Sequence, residues 1–399
     1  MLTSFTLAGS IGTDALAVSI RCAIDAKKPA AFCVEGVSAV QAKEIAVRVR
    51  SALAATDLCS WPEGRVTISI DAQGAKLQAP ALDLPIALTI AGVDVSGLLV
   101  AGELGLDGSV RPVRGALQIT LLAKTMGLRG VLVPAKNARE ALESAGEDGQ
   151  AFAVHAVSHL ADVTHALTTH AACLPRPSRV MTPLDFADVR GQAEAIAKVE
   201  EAVSSRAGLL LSGPPGTGKT MIARRIPGLL PEMARDEQID VTRVYSAIGL
   251  ADGLVCERPF RAPHHTISAA ALAGASYRPG EVHLAMGGVL FLDELAEFSR
   301  TAIEIIAQTL RAMPVTSRPL VVAAVNSCPC GWHGSPVRKC LCSADAVKSY
   351  SARVEWAATK LGLMIRTSVQ PVALDDLRGT SPEATASIAA RIALGSPSL

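Results

Sequence analysis

The sequence predicts the α/β fold class, with two α/β domains in tandem, and three observations support this. The apolar run Leu209–Ser212 breaks into GPPGTGKT, a glycine-rich loop followed by helical sequence. A second apolar run, Val289–Leu292, ends in the adjacent carboxylates Asp293 and Glu294. Upstream, five short β-branched segments alternate with helical periodicity. Strands that alternate with helices and carry polar groups at their carboxyl ends are the pattern of parallel sheets flanked by helices.

Composition sets the bounds. The 399 residues are 49% hydrophobic and 19% charged, enough for ordinary buried cores in two or three domains. No run approaches the ~18 to 20 uncharged apolar residues of a membrane span. The N-terminal MLTSFTLAGSIGTDALAVSI has no basic n-region and carries Asp14 in its apolar stretch, so no signal peptide is expected and a cytoplasmic location is. Nine cysteines, four of them between Cys328 and Cys342, suit a reducing compartment better than a disulfide framework. A net charge of +1 gives no global footprint for nucleic acid, so such a surface has to be a local patch or belong to an assembly.

Residues 1–172 read as the first α/β domain. Ala15–Cys22, Val66–Ile70, Gly97–Ala101, Gly130–Val133 and Ala151–Val154 have the length and β-branched content of buried strands. Ser38–Thr56 reads as a helix capped by its serine, with Val40, Ile45, Val49 and Leu53 near one face and Lys43, Arg48 and Arg50 on a solvated one. Arg114–Pro134 reads as a helix that stops at Gly127 and leads into a strand. Three prolines in CLPRPSRVMTP mark residues 173–183 as a linker.

The second domain, residues 184–372, opens with Asp185–Ser205, a short loop and an amphipathic helix. In the loop that follows, Gly213, Gly218, Lys219 and Thr220 fill the G-x-x-x-x-G-K-[ST] pattern around Pro214, Pro215, Gly216 and Thr217. Its glycines let backbone N–H groups close around phosphates with no Cβ in the way. Lys219 is expected to reach the β- and γ-phosphates of ATP and Thr220 to offer its hydroxyl to Mg²⁺, while MIARRI opens a helix whose positive end faces the anion. At the end of the second apolar run, Asp293 is expected to hold Mg²⁺ through water and Glu294 to orient or deprotonate the attacking water. A third strand, Leu320–Val325, ends at Asn326. The adjacent His264 and His265 are expected to point in different directions rather than share a metal. Cys328, Cys330, Cys340 and Cys342 form C-x-C-x9-C-x-C, with Gly331, Gly334 and Pro336 to let the loop fold back. Four thiolates could hold structural Zn²⁺, the alternative being reduced, unliganded thiols.

RPFRAPHHTIS and PGEVHLAMGGVLFLDELAEF resemble the magnesium-chelatase-like branch of the AAA+ ATPases, and the ComM/YifB proteins within it. GVSAVQAKEIAVRVRSAL, DLPIAL and AGELGLDGSVRPVRGAL resemble the N-terminal domain of ComM/YifB, which shares the fold of the Lon protease domain. The likeness implies a Lon-like first domain followed by an AAA+ module. Asp83 and Gln118 stand where Lon has its serine and lysine, so no proteolysis is expected. Val189–Gln192 would border the adenine, and Asn326 would be the sensor of the γ-phosphate or lytic water, although Ser327 replaces the usual proline.

The family implies a hexameric ring, ATP between subunits, and DNA branch migration in natural transformation. The C-terminal part departs from that pattern. Where the family has an L-L-D-R-[IF]-D segment with a trans-acting arginine, SARVEWAATKLGLMIRTSV offers only Lys360 nearby. The spacer TAIEIIAQTLRAMPVTSRP looks shortened, and residues 373–399 read as a partial helix and tail with the helical lid missing. Two functions therefore compete: an ATP-driven AAA+ motor on branched or single-stranded DNA, as a homo-hexamer, or a degenerate ATP-binding paralogue with weak hydrolysis in a mixed ring. Metal insertion into a tetrapyrrole rests on the family name alone.

Overall fold

A computed structural model describes residues 3–11, 14–71, 79–146, 152–171, 184–275, 278–334, 338–372 and 383–395. The proline-rich stretch 173–183 and Pro336 lie outside the described residues. The chain divides into two compact units. The first is Met1–Pro177 with Thr242–Val255 and Ser276–Arg278; the second is Ser178–Val241, Cys256–Ala275 and Pro279–Leu399.

The first unit is built on a mixed seven-stranded sheet. Its spatial order is Ala31–Glu35, Arg65–Asp71, Asp14–Asp25, Thr3–Ile11, Leu98–Val100, Gly130–Pro134 and Ala153–Val157. Arg65–Asp71 alternates strictly, with Val66, Ile68 and Ile70 buried and the residues between them facing outward, the period of a half-buried strand. Those three side chains join Ile45, Val49, Ala52 and Leu53 of the helix Ala39–Ala54 in one core. Ser38 caps that helix with a full capping box to Gln41. Val40, expected on the apolar face, is 68% exposed. The strands Thr3–Ile11 and Ala31–Glu35 were not expected from the sequence, and the last strand starts at Ala153, two residues later than read. The segment DLPIAL forms the first two-thirds of the helix Asp83–Ala91, in which Asp83 to Ile90 are all buried. A helix that is apolar all round sits inside a core, and here only Asp83 brings a charge into it.

The second unit has a five-stranded sheet in the order Phe260–Arg261, Val289–Leu292, Leu320–Val325, Leu209–Ser212, Ile365–Ser368. Every pairing is parallel. Both faces are covered, so the strands read as continuous apolar runs. Leu210, Leu290, Leu292, Val321, Ala323 and Val325 pack with Ile303, Ile306 and Leu310 of the helix Arg300–Ala312 on one side. On the other side Leu209, Leu211, Phe291 and Val322 pack with Phe186, Val199, Ile222, Ile388 and Ile392. The last two belong to the helix Thr385–Gly395, tied to the start of the unit by a Thr385 N–H bond to Asp185 Oδ1 of 2.7 Å. Parallel strands bring all their carboxyl ends to one edge, and the sequence motifs follow three of those ends.

Candidate functional site at the carboxyl edge of the parallel sheet

The glycine-rich loop runs from the end of Leu209–Ser212 to the helix Lys219–Ala223. Gly213 has φ +153°, and a Cβ there would lie 2.1 Å from the Val369 carbonyl oxygen, so no other residue fits where the loop leaves the sheet. The Gly213 N–H donates to the Val325 carbonyl, which joins the loop to the neighbouring strand end. MIARRI does not continue as one helix: the regular turn ends at Ala223 and a 3-10 turn follows over Ile226–Leu229, with Pro227 at its start. A helix of five residues has little dipole, so the loop's own N–H groups are its main anion donors.

Lys219 is buried, with Nζ 2.8 Å from the carbonyl oxygens of both Gly213 and Pro214 and 3.3 Å from Asn326 Oδ1. Burial lowers its pKa from the ordinary lysine value, and the nearby Asp293 carboxylate opposes that shift. Thr220 Oγ1 donates to Asp293 Oδ2 at 3.0 Å. Loop, acidic strand end and asparagine strand end therefore meet in one place, through residues up to 107 positions apart. A hydroxyl beside a carboxylate is a hard-oxygen donor set of the kind Mg²⁺ takes, so the residues present fit that ion.

Glu294 adopts φ +53°, one of two non-glycine residues in the left-handed region among those described, the other being Arg206. That conformation costs a residue with a Cβ ~1 to 2 kcal/mol, and such strain gathers at functional sites. It turns Glu294 outward, to 53% side-chain exposure and 3.4 Å from His265 Nδ1. The His264 and His265 rings lie 4.1 Å apart, tilted by 33°, which corrects the expectation that they diverge. His265 beside Glu294 was not found from sequence, since 29 residues separate them and no local pattern links them.

Two residues beyond Asn326, the four cysteines converge. Cys328, Cys330 and Cys340 have sulfurs 3.4 to 3.6 Å apart, and all four sulfurs lie within 4.8 Å of one another. Backbone N–H groups of His333 and Cys342 point at the sulfurs of Cys328 and Cys340. Backbone hydrogen bonds from Leu341 and Trp332 hold the Cys330 thiol down to about 6. Among the described residues this is the one cluster of three or more ligand-type side chains that could hold a metal ion.

The remaining expected residues make other contacts, and only Gln192 among them stays on this edge, beside the end of the strand Ile365–Ser368. Gln192, near the expected adenine border, donates to the Gln370 carbonyl at 2.7 Å. Arg353 stacks over the Tyr350 ring at 5.8 Å, and Arg366 makes a two-pronged pair with Glu355. Lys360, at the end of the helix Ala344–Leu361, is exposed at the opposite, amino edge of the sheet. There it lines a cavity of about 450 Å³ with Arg206, Arg311 and Arg318.

In the first unit Asp83 is fully buried, yet Arg48 reaches it with Nε 2.6 Å from Oδ2 and a second nitrogen 3.1 Å from Oδ1. Desolvation outweighs this pairing and pushes the carboxyl up to about 6, while the same hydrogen bond raises the Arg48 guanidinium. Arg48 is thus no solvated charge, as its helix face had suggested. Gln118 is occupied too: its amide donates to the Arg243 carbonyl at 2.8 Å and its oxygen accepts from Ser246 Oγ at 2.7 Å. Among the described residues no helix is long and apolar enough to cross a membrane.

Comparison with known proteins places this architecture. Residues 185–371 match the family described as magnesium chelatase, subunit ChlI, and residues 20–137 match the one described as subunit ChlI of Mg-chelatase. The chain is 34% identical to the competence protein ComM of Haemophilus influenzae, over 81% of this chain and 68% of that one. It is 30% identical to the uncharacterized protein YifB of Escherichia coli, over 83% and 69%. An uncharacterized Mycobacterium tuberculosis protein is 34% identical over 86% of this chain and 72% of its own. With family matches in both halves and relatives aligned along most of its length, the chain belongs to the ComM/YifB-type, magnesium-chelatase-like family.

Proposed function

We propose that the second unit is an AAA+ module that binds ATP with Mg²⁺ at the carboxyl edge of its parallel sheet and hydrolyses it in a ring of subunits to remodel DNA, as in branch migration. The observation that carries this reading is the meeting of Lys219, Thr220, Asp293 and Asn326 at one sheet edge. On this reading Gly213 to Thr220 enclose the phosphates, and Lys219 turns from its loop carbonyls to the β- and γ-oxygens. Thr220 and Asp293 hold Mg²⁺, which would neutralise phosphate charge. Glu294 orients the lytic water, and Asn326 contacts the γ-phosphate. Residues 1–172 form a Lon-like domain without proteolytic chemistry, because Asp83 and Gln118 make no serine–lysine dyad and both are held by other partners, Asp83 buried against Arg48.

A DNA role is supported by the similarity to the competence protein ComM of Haemophilus influenzae. A specific observation also favours slow turnover by this chain alone. Arg353 and Arg366 are engaged within their own chain, and the helix end that would carry a trans-acting arginine presents Lys360, which lacks the planar guanidinium fork. The test is ATP hydrolysis by the full chain with and without branched DNA, beside Glu294→Gln. Stimulation by branched DNA that is absent in the variant supports the reading; no hydrolysis above the variant under either condition contradicts the motor function. The four cysteines are read, in the same proposal, as a structural Zn²⁺ site.

A further inference from the structure

The loop that carries the cysteine cluster is fastened to the nucleotide site at both ends and in its middle. It begins two residues after Asn326, with Cys328 fully buried beneath it. It ends at Cys342, where Ser343 caps the helix Ala344–Leu361. That helix returns Tyr350, buried, to a hydrogen bond with the backbone of Asn326. In the middle Gly331 takes φ +84° and presses on the phosphate loop: a Cβ there would meet Cδ and Cγ of Pro215 at 2.7 Å. The tip of the cysteine loop therefore rests directly on the Pro215 ring, beside the lysine and asparagine that face each other.

Tetrahedral zinc with Zn–S bonds of about 2.3 Å has sulfur–sulfur edges of about 3.8 Å. The observed 3.4 to 3.6 Å spacings are close to that, and N–H groups already point at the sulfurs. Thiolates this close repel one another unless a cation sits among them. Without one the sulfurs take up protons and the loop loses the metal bonds that tie Cys328 and Cys330 to Cys340 and Cys342, which leaves Gly331 freer to lift off Pro215 and slackens the anchor of Asn326.

We propose that the zinc-loaded cysteine cluster is a brace for the nucleotide site, so that zinc and nucleotide each tighten the binding of the other. This rests on the nucleotide and zinc readings above. It adds that the two sites share one structural element, the contact of Gly331 with Pro215. Linkage is reciprocal by thermodynamic necessity, and coupling between packed sites is typically worth about 5- to 150-fold. About tenfold is expected here, because only one edge of the phosphate loop is braced.

The experiment titrates the full chain with a fluorescent ADP analogue and Mg²⁺, in the zinc-loaded form and after removal of zinc by a chelator of stated strength. A second arm follows zinc release to a chromogenic chelator with and without ATP. Tenfold weaker nucleotide binding after zinc removal, and slower zinc release with ATP in the native chain but not in Lys219→Ala, are expected. Pro215→Ala is to keep one zinc per chain while losing most of the coupling, a result that general unfolding cannot mimic. Equal nucleotide affinity with and without zinc overturns the brace while leaving both sites in place. A chain that carries no zinc overturns it together with the metal site. A zinc-loaded chain that binds no nucleotide overturns the nucleotide reading itself.

Discussion

Lys219 Nζ faces Asn326 Oδ1 at 3.3 Å, so the last motif of the parallel sheet ends against the lysine of the first, 107 residues earlier in the chain. The Gly213 N–H bond to the Val325 carbonyl holds the two strand ends in that register. The lysine is buried and its pKa is lowered, so an ammonium there gains from any anion placed within reach. Phosphates are the anions that a glycine loop of this spacing encloses.

Glu294 combines a strained backbone with an exposed carboxylate. Glu294→Gln is expected to keep nucleotide affinity within about twofold and to abolish hydrolysis, since it retains shape but removes the carboxylate proposed to act on the lytic water. Glu294→Gly should also abolish hydrolysis while leaving the melting temperature unchanged or raised, as glycine relieves a left-handed cost of ~1 kcal/mol. Paired ATPase and thermal-melt measurements check both variants.

Arg48 neutralises a carboxylate that no water reaches. Asp83 has its pKa raised to about 6 in the folded chain, above the ordinary 3.8, so the folded state binds the extra proton. Its contribution to stability is full below pH 4 and is lost as pH rises through 6. Arg48→Ala is expected to destabilise by about 3 to 5 kcal/mol at neutral pH, where it leaves a buried charge unpaired. The loss should be clearly smaller at pH 4.5, where the carboxyl is protonated. Denaturant titrations at the two pH values measure the difference, and an equal loss at both would show that the pair is not the cause.

The sequence made the second unit's site legible and left most of the first unit's internal pairing hidden. Loop, acidic pair and the strand ending at Asn326 each lie in a short segment whose local pattern sets strand, turn or helix, so their placement at strand ends followed from the fold class. The contact of Arg48 with Asp83 spans 35 residues, and from helix periodicity alone Arg48 sat on a solvated face. Val40 was misplaced for the opposite reason: it is apolar at the right spacing, but it lies in the first turn and stays exposed to solvent. His265 beside Glu294, and Gly331 against Pro215, depend on how distant loops return to one edge, which no period in the sequence encodes.

The arginines nearest the expected finger segment are already committed. Arg353→Ala and Arg366→Ala are therefore expected to change steady-state turnover by less than about twofold, one losing a ring contact and the other a surface pair worth ~0 to 1 kcal/mol. The chain alone should hydrolyse slowly, because an arginine supplied in trans is worth about 10³- to 10⁵-fold in rate. An intact ComM-like partner added to the Glu294-competent chain is expected to raise turnover beyond the sum of the two. Steady-state ATPase of each protein and of the mixture checks this.

The most direct measurement is a calorimetric titration of the full chain with ATP in the presence of Mg²⁺, beside Lys219→Ala. About one site per chain is predicted, with affinity falling at least tenfold to a hundredfold in the variant, the ~1.5 to 3 kcal/mol of a hydrogen bond to a charged group. Equal affinity in the two chains, or no binding to the native one, would contradict the assignment of the nucleotide site to this sheet edge.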